Sequence, residues 1–78
     1  MAEGRNKRSL TIARHRTSIS LEDAFWDALT DLARSEGKSI ARLVGEIDKR
    51  RSETPLPRPS LSAAVRLYVL ERTKRGAP

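Results

Sequence analysis

One short run decides the fold of this chain: Arg16-Thr17-Ser18-Ile19-Ser20-Leu21, in which polar and apolar side chains alternate. Such alternation is typical of a β-strand with one buried side. A helical pattern follows at once, and a second helical pattern follows the break at Gly37-Lys38-Ser39. Because this order offers no obvious partner strand within the chain, the backbone donors and acceptors of the strand would be left unpaired. We therefore expect it to pair with the same strand of a second copy.

The residues expected to face the core change from even to odd numbers between the preceding segment and this run. They are Leu10 and Ile12 before the run, and Thr17, Ile19 and Leu21 within it. One uninterrupted strand would divide them between opposite sides, because strand side chains alternate with period two. The chain is therefore expected to change direction or bulge near Ala13-Arg14-His15. A tight hairpin is disfavoured there, since the segment lacks Gly, Asn and Asp. Residues 1–14 are interpreted as a basic flexible arm.

The first helix is indicated by an apolar stripe with helical spacing. Its members are Phe25, Ala28, Leu29, Leu32 and Ala33. Ser20 and Asp23 form an approximate capping box, and Gly37 ends the helix. Trp26 is expected to cover the edge of the stripe rather than to stack on bases, because the helix is acidic.

The second helix is predicted from Ser39, a good N-cap, and from a repeat of the same spacing. Its apolar residues are Ile40, Leu43, Val44 and Ile47. Gly45 weakens this helix by about 1 kcal/mol relative to Ala. It is either simply tolerated or marks a close helix approach at a dimer interface.

A proline-rich connector, residues 52–59, separates this helix from a third helix at 60–75, capped by Ser60 or Ser62. The third helix has a broad apolar surface that must be covered by a dimer core or by another partner. Ser60 to Arg66 also looks somewhat like a second helix of the fold described below, but residues 39–51 fit that role better because their turn is shorter.

Charge is distributed unevenly along the 78 residues. The formal net charge is +6, with residues 1–20 at +4, residues 21–48 at −4 and residues 49–78 at +6. Basic ends around an acidic middle favour a polyanion partner for the N-terminal strand. A chain of this length buries a modest core, so oligomerisation would help to stabilise it.

Several classes of function are disfavoured by composition. The chain has no cysteine and one histidine, His15, which argues against a disulfide, a zinc site or any other cofactor. No nucleophile and base pair or glycine-rich phosphate loop is present, so an enzyme is not expected. No apolar run approaches about 20 residues and the N-terminus lacks a signal-peptide core, so the protein is expected in the cytoplasm without membrane association.

The order of strand, helix, turn and helix over residues 15–51 resembles the ribbon-helix-helix family, the superfamily of the Arc and Met repressors. The matching segments are Arg16 to Leu21, Phe25 to Glu36 and Gly37-Lys38-Ser39-Ile40 leading into Leu43 and Val44. With its third helix, the chain is similar to a small bacterial subgroup. The resemblance implies a mainly α-helical, intertwined homodimer whose paired strands enter the major groove of DNA.

Residue roles follow from alternation and from this resemblance. Arg16, Ser18 and Ser20 point outward and are candidates for base contacts. Contacts with the phosphates of the DNA backbone are expected from two groups of residues. They are Lys38, Ser39 and Ile40 at the N-terminus of the second helix, and Arg5, Lys7, Arg8 and Arg14 in the arm. The expected dimer core comprises Ile19, Leu21, Phe25, Leu29, Leu32, Leu43, Val44 and Ile47.

The resulting hypothesis is a sequence-specific, nucleoid-associated regulator of transcription that acts as a homodimeric repressor; whether the dimers assemble further on DNA is left open by the sequence. The alternative is an antitoxin-like or adaptor protein whose C-terminal helix binds a protein partner.

Overall fold

Two strands precede three helices in the computed structural model, which describes residues 5–76 and the side chains of residues 6–74. The elements are β1 (Arg5–Ile12), β2 (His15–Glu22), α1 (Asp23–Ser35), α2 (Ile40–Ser52) and α3 (Leu61–Gly76). The predicted mainly helical class with an added C-terminal helix is confirmed. Residues 1–4 of the expected arm lie outside the described residues.

The strands form a hairpin within one chain. β1 pairs antiparallel with β2, from Arg5 opposite Glu22 to Ile12 opposite His15. The expectations that the strand lacks a partner in its own chain, and that a hairpin is disfavoured, are therefore wrong, as is the assignment of residues 5–12 to a flexible arm. Ala13 and Arg14 supply the turn with φ of 50° and 70°, the left-handed conformation that a two-residue hairpin turn requires. This conformation costs roughly 1–2 kcal/mol per residue outside glycine, and the paired strands offset it.

The hairpin also explains the change in parity, since the chain changes direction at this turn, which was one of the two predicted alternatives. Leu10 lies opposite Thr17, and Arg8 lies opposite Ile19. Even-numbered residues of β1 and odd-numbered residues of β2 consequently share the side that meets the helices. Ile12, Ile19 and Leu21 are buried there.

The helices complete a core on that side of the hairpin. The buried helical side chains are Trp26, Leu29, Ala33, Leu43, Val44, Ile47, Val65 and Val69. On α1 the buried stripe is rotated from the predicted one, because Phe25, Ala28 and Leu32 are only partly buried. Trp26 is 1% exposed and its Nε1 donates to the carbonyl of Asn6 at 2.9 Å. It is therefore a central core residue instead of an edge cover, since β1 packs on it and this segment had been interpreted as a flexible arm.

The N-termini of α2 and α3 are capped by predicted serines, whereas that of α1 is not. Ser39 Oγ accepts from the Arg42 N–H at 3.1 Å, and Ser60 Oγ accepts from the Ala63 N–H at 3.2 Å. Ser20 does not cap α1, because β2 continues to Glu22, which occupies the N-cap position. The Glu22 side chain makes no capping hydrogen bond, since its carboxylate accepts from Arg66 Nε at 2.9 Å.

The turn between α1 and α2 depends on Gly37, whose φ is +69°. The Lys38 N–H donates to the Ala33 carbonyl at 2.9 Å, and the Gly37 N–H donates to the Arg34 carbonyl at 3.1 Å. This is the bonding of a Schellman motif, which favours glycine at the left-handed position. It fixes where α2 begins.

α3 packs against β2, α1 and α2 of the same chain. Val65 is fully buried and Val69 is 4% exposed. Helix three therefore belongs to the core of the single chain. Among residues 5–76, no helix is both long and apolar enough to cross a membrane.

Candidate nucleic-acid interface

The hairpin presents its second side to solvent, and every described residue on that side is polar. Glu22 lies at the end of this side, where its carboxylate pairs with Arg66. The other residues, called here the ribbon face, are Lys7, Ser9, Thr11, Arg16, Ser18 and Ser20. All are exposed except Ser20, which is half-buried. One side of the same two strands therefore anchors the core while the other carries cations and hydroxyls.

The ribbon face has a regular layout. Lys7 lies opposite Ser20, Ser9 opposite Ser18, and Thr11 opposite Arg16. The two cations consequently occupy diagonally opposite corners, with hydroxyl groups between them. At about 3.4 Å per residue, five residues of a strand span about 14 Å. That length matches about four base pairs of DNA.

The predicted base-contacting residues, Arg16, Ser18 and Ser20, lie together on β2 and share the ribbon face. Lys7, predicted as a phosphate contact in the arm, lies on the same face. The sequence reasoning missed Ser9 and Thr11 because their segment was assigned to the arm. The available signal was the alternation of Lys7-Arg8-Ser9-Leu10-Thr11-Ile12 itself.

The other arm residues are placed differently. Arg8 points to the helix side of the hairpin, where its guanidinium lies 4.5 Å from the centre of the Trp26 ring. This cation–π contact gives Arg8 a packing role. Arg14 is exposed in the hairpin turn, beside the ribbon face. Arg5 begins β1, and its side chain lies outside those described.

The turn before α2 holds Lys38 in an internal ion-pair network. Lys38 Nζ contacts Glu46 Oε1 at 2.5 Å and Glu36 Oε1 at 3.1 Å. Hydrogen bonds to Glu46 and then Glu36 raise the pKa of Lys38, while Lys38 lowers the pKa of both carboxyls. A phosphate at this helix end would therefore meet two carboxylates beside the capped first turn.

Glu36 also ties this turn to α3. Its Oε2 accepts from the Tyr68 hydroxyl at 3.1 Å and contacts Arg72 Nη2 at the same distance. Burial, followed by the hydrogen bond to Glu36, raises the pKa of Tyr68. The predicted phosphate site is thus part of the contacts that join α1, α2 and α3.

A polar two-stranded ribbon is one of the elements with which proteins are known to contact DNA grooves. The family described as "Ribbon-helix-helix domain" matches residues 5–73, from the start of β1 into the last turns of α3. The chain therefore belongs to the ribbon-helix-helix family, which points to a DNA-binding regulator or an antitoxin. Neither the curated proteins nor the solved structures gave a match.

Proposed function

We propose that this protein is a sequence-specific DNA-binding regulator of transcription, acting as a repressor, and that the ribbon face enters the major groove. The observation that carries the proposal is the exposed polar side of a hairpin whose opposite side packs on the helices through Ile12, Ile19 and Leu21. The major groove is about 12 Å wide and admits a two-stranded β-ribbon. Family membership supplies independent support.

Arg16 is the strongest candidate for direct readout. Its guanidinium can donate two hydrogen bonds to guanine, whereas the hydroxyls of Ser18 and Ser20 discriminate weakly between bases. Arg14, in the turn beside the ribbon, would bind a backbone phosphate and position the ribbon without reading sequence. Lys38, Ser39 and Ile40 remain a DNA phosphate contact in this proposal. The contact is secondary, because the Lys38 ammonium group already pairs with Glu36 and Glu46.

A homodimer is part of the proposal. Six of the eight residues expected in a dimer core are buried within a single chain, namely Ile19, Leu21, Leu29, Leu43, Val44 and Ile47. Two copies would therefore associate as folded units. Each would carry its own ribbon, and two ribbons placed about one helical turn of DNA apart would read two half-sites.

The test begins with selection of bound duplexes from a random DNA pool at two salt concentrations. Sequence-specific recognition enriches a common motif, while affinity for polyanions alone enriches none and disappears at high salt. Arg16→Ala should weaken binding to the selected duplex by about tenfold, whereas Arg14→Ala should weaken selected and random duplexes alike. Sedimentation of the free protein at micromolar concentration tests the homodimer. If no motif is enriched, the proposal is wrong.

A second candidate function is binding of a protein partner through α3. Leu67 and Leu70 are about half exposed on this helix, at 55% and 50%. Leu67 borders a groove of about 430 Å³ whose lining also includes Ile47, Tyr68 and Arg72. Replacing Leu67 and Leu70 with Asp should leave DNA binding and the melting temperature unchanged if this surface serves a partner. Loss of repression in cells with DNA binding intact would favour the second function.

A further inference from the structure

The groove between α2 and α3 carries an excess of positive charge. Its volume is about 430 Å³, and its charged lining residues are Arg50, Arg51, Arg72 and Glu71. The rest of the lining is mostly apolar and includes Ile47, Ala64, Leu67 and the ring of Tyr68. Sites for small molecules have volumes of about 300–1,000 Å³ and combine apolar walls with a few polar groups. The size and lining of this groove therefore suit a small molecule with a negative charge.

One wall of the groove is held in place by hydrogen bonds within the chain. Arg51 donates from Nε and Nη2 to Asp48 Oδ1 at 3.0 and 2.8 Å, and from Nη1 to the Pro59 carbonyl at 3.4 Å. The Thr54 hydroxyl donates to the Arg50 carbonyl at 3.1 Å. These bonds tie the end of α2 to the connector that leads into α3. A ligand would consequently enter a preformed groove and lose little affinity to ordering it.

The two other arginines, one on each helix, border the same aromatic ring. The guanidinium carbon of Arg50 lies 5.9 Å from the centre of the Tyr68 ring, and that of Arg72 lies 5.6 Å from it. Arg50 is exposed and forms no ion pair with the described side chains of residues 6–74. Arg72 contacts Glu36 through Nη2, and its side chain is still 45% exposed. Because a guanidinium has five N–H donors, both arginines have donors to spare for an anion.

Glu36 shows that a carboxylate suits this pair of groups. Its Oε2 accepts from the Tyr68 hydroxyl and contacts Arg72 Nη2, both at 3.1 Å. We propose that the groove binds a small carboxylate with an apolar body, in which Arg50 and Arg72 pair with the carboxylate while Tyr68 and Leu67 pack on the body. Charge-assisted bonds to arginine supply the specificity for an anion. The site lies apart from the ribbon face, so the inference does not depend on DNA binding.

The first test uses 3-phenylpropionate as the probe and follows the backbone amide signals of the labelled full chain by NMR. The neutral 3-phenylpropanamide controls for the charge, and acetate controls for the apolar body. The phenylpropionate should shift amides at the end of α2 and along α3 with a Kd of about 1 mM or less. The amide and acetate should each bind at least about fivefold more weakly.

The second test compares matched substitutions in the same titration. Arg50→Gln and Leu67→Ala should each weaken binding of phenylpropionate by about fivefold. Their controls are Lys49→Gln, at an exposed cation of α2, and Leu70→Ala, at a half-exposed leucine of α3, neither of which lines the groove. Each control should change the Kd by less than about twofold. Melting curves should show that all four variants stay folded.

Three results would overturn the inference. The first is equal binding of phenylpropionate and its amide, and the second is an equal loss of affinity in Arg50→Gln and Lys49→Gln. The third is an equal loss in Leu67→Ala and Leu70→Ala. That result would indicate a broad surface of α3 of the kind that a protein partner covers, instead of a site for a small molecule.

Discussion

The backbone of Gly45 in α2 lies directly against the side chain of Ile12 in β1. A Cβ atom at position 45 would be 3.2 Å from Cγ2 of Ile12. The sequence left two explanations for this glycine, simple tolerance or close approach at a dimer interface. The close approach is real, but the neighbour is a strand of the same chain, and the contact fixes the hairpin on α2.

Gly45→Ala tests this contact through its dependence on Ile12. Alanine favours the helix by about 1 kcal/mol, but the added Cβ crowds Ile12 at an overpacking cost of about the same size or more. We expect Gly45→Ala to be neutral or destabilising alone, and to stabilise by about 1 kcal/mol in an Ile12→Ala background. Urea unfolding of the four proteins gives the coupling between the two sites. Equal effects in both backgrounds would contradict the contact.

The pairing of Ser9 with Ser18 predicts an intrachain disulfide. Directly opposite residues of an antiparallel pair have Cα atoms about 4.5–5.5 Å apart, within the range that a disulfide accepts. Because the chain has no cysteine, Ser9→Cys with Ser18→Cys should oxidise to a monomeric, internally linked product. Non-reducing electrophoresis and peptide mass mapping identify the link.

The matched control for this link is Ser9→Cys with Ser20→Cys. These positions are diagonal, about 7–8 Å apart, so the control should link poorly. A disulfide-linked dimer from the first variant would show that the strand pairs between copies and would refute the intrachain register.

The sequence predicts the order of β2 and the three helices, most helix N-caps and the outward residues of β2, because these depend on local periodicity and capping. It does not predict the hairpin, since the turn at Ala13 and Arg14 contains none of the usual turn residues. That turn is stabilised by the pairing of the two strands along their full length, which local sequence patterns do not report. Because β1 was not predicted, Ser9 and Thr11 were not recognised as ribbon residues. The burial of Trp26 was not predicted for the same reason, since this side chain packs against β1.

Val65 is expected to be essential for the stability of the single chain, because α3 packs on the core. Val65→Ala removes two fully buried methyl groups and should lower the free energy of unfolding by about 2 kcal/mol. For a domain of this size, that corresponds to a fall in Tm of roughly 8–16 °C. Leu67→Ala, at a half-exposed position of the same helix, serves as the control and should change stability by less than about 0.5 kcal/mol. Similar losses in both variants would contradict the packing of α3.

The ion pairs of Lys38 predict a pH dependence of stability with a definite sign. Lys38 lowers the pKa values of Glu36 and Glu46 below their usual 4.5. The stabilisation from these carboxylates is therefore present above about pH 4.5 and is lost as the pH falls through their lower folded-state values. The pKa of Lys38 is raised above 10.5, so its contribution persists until the pH rises beyond that value.

Lys38→Met isolates this network from other acid-sensitive groups. The variant should melt below the intact protein at every pH between 6 and 9, by a constant difference in Tm. That difference should shrink below about pH 4, because the carboxylates then become protonated in both proteins. Lys49→Met, which removes an exposed cation near the end of α2, should show neither the neutral-pH loss nor its disappearance in acid. If the Lys38→Met difference stayed constant to pH 3, the pairs would make no net contribution to stability, and Lys38 would be free to bind a phosphate.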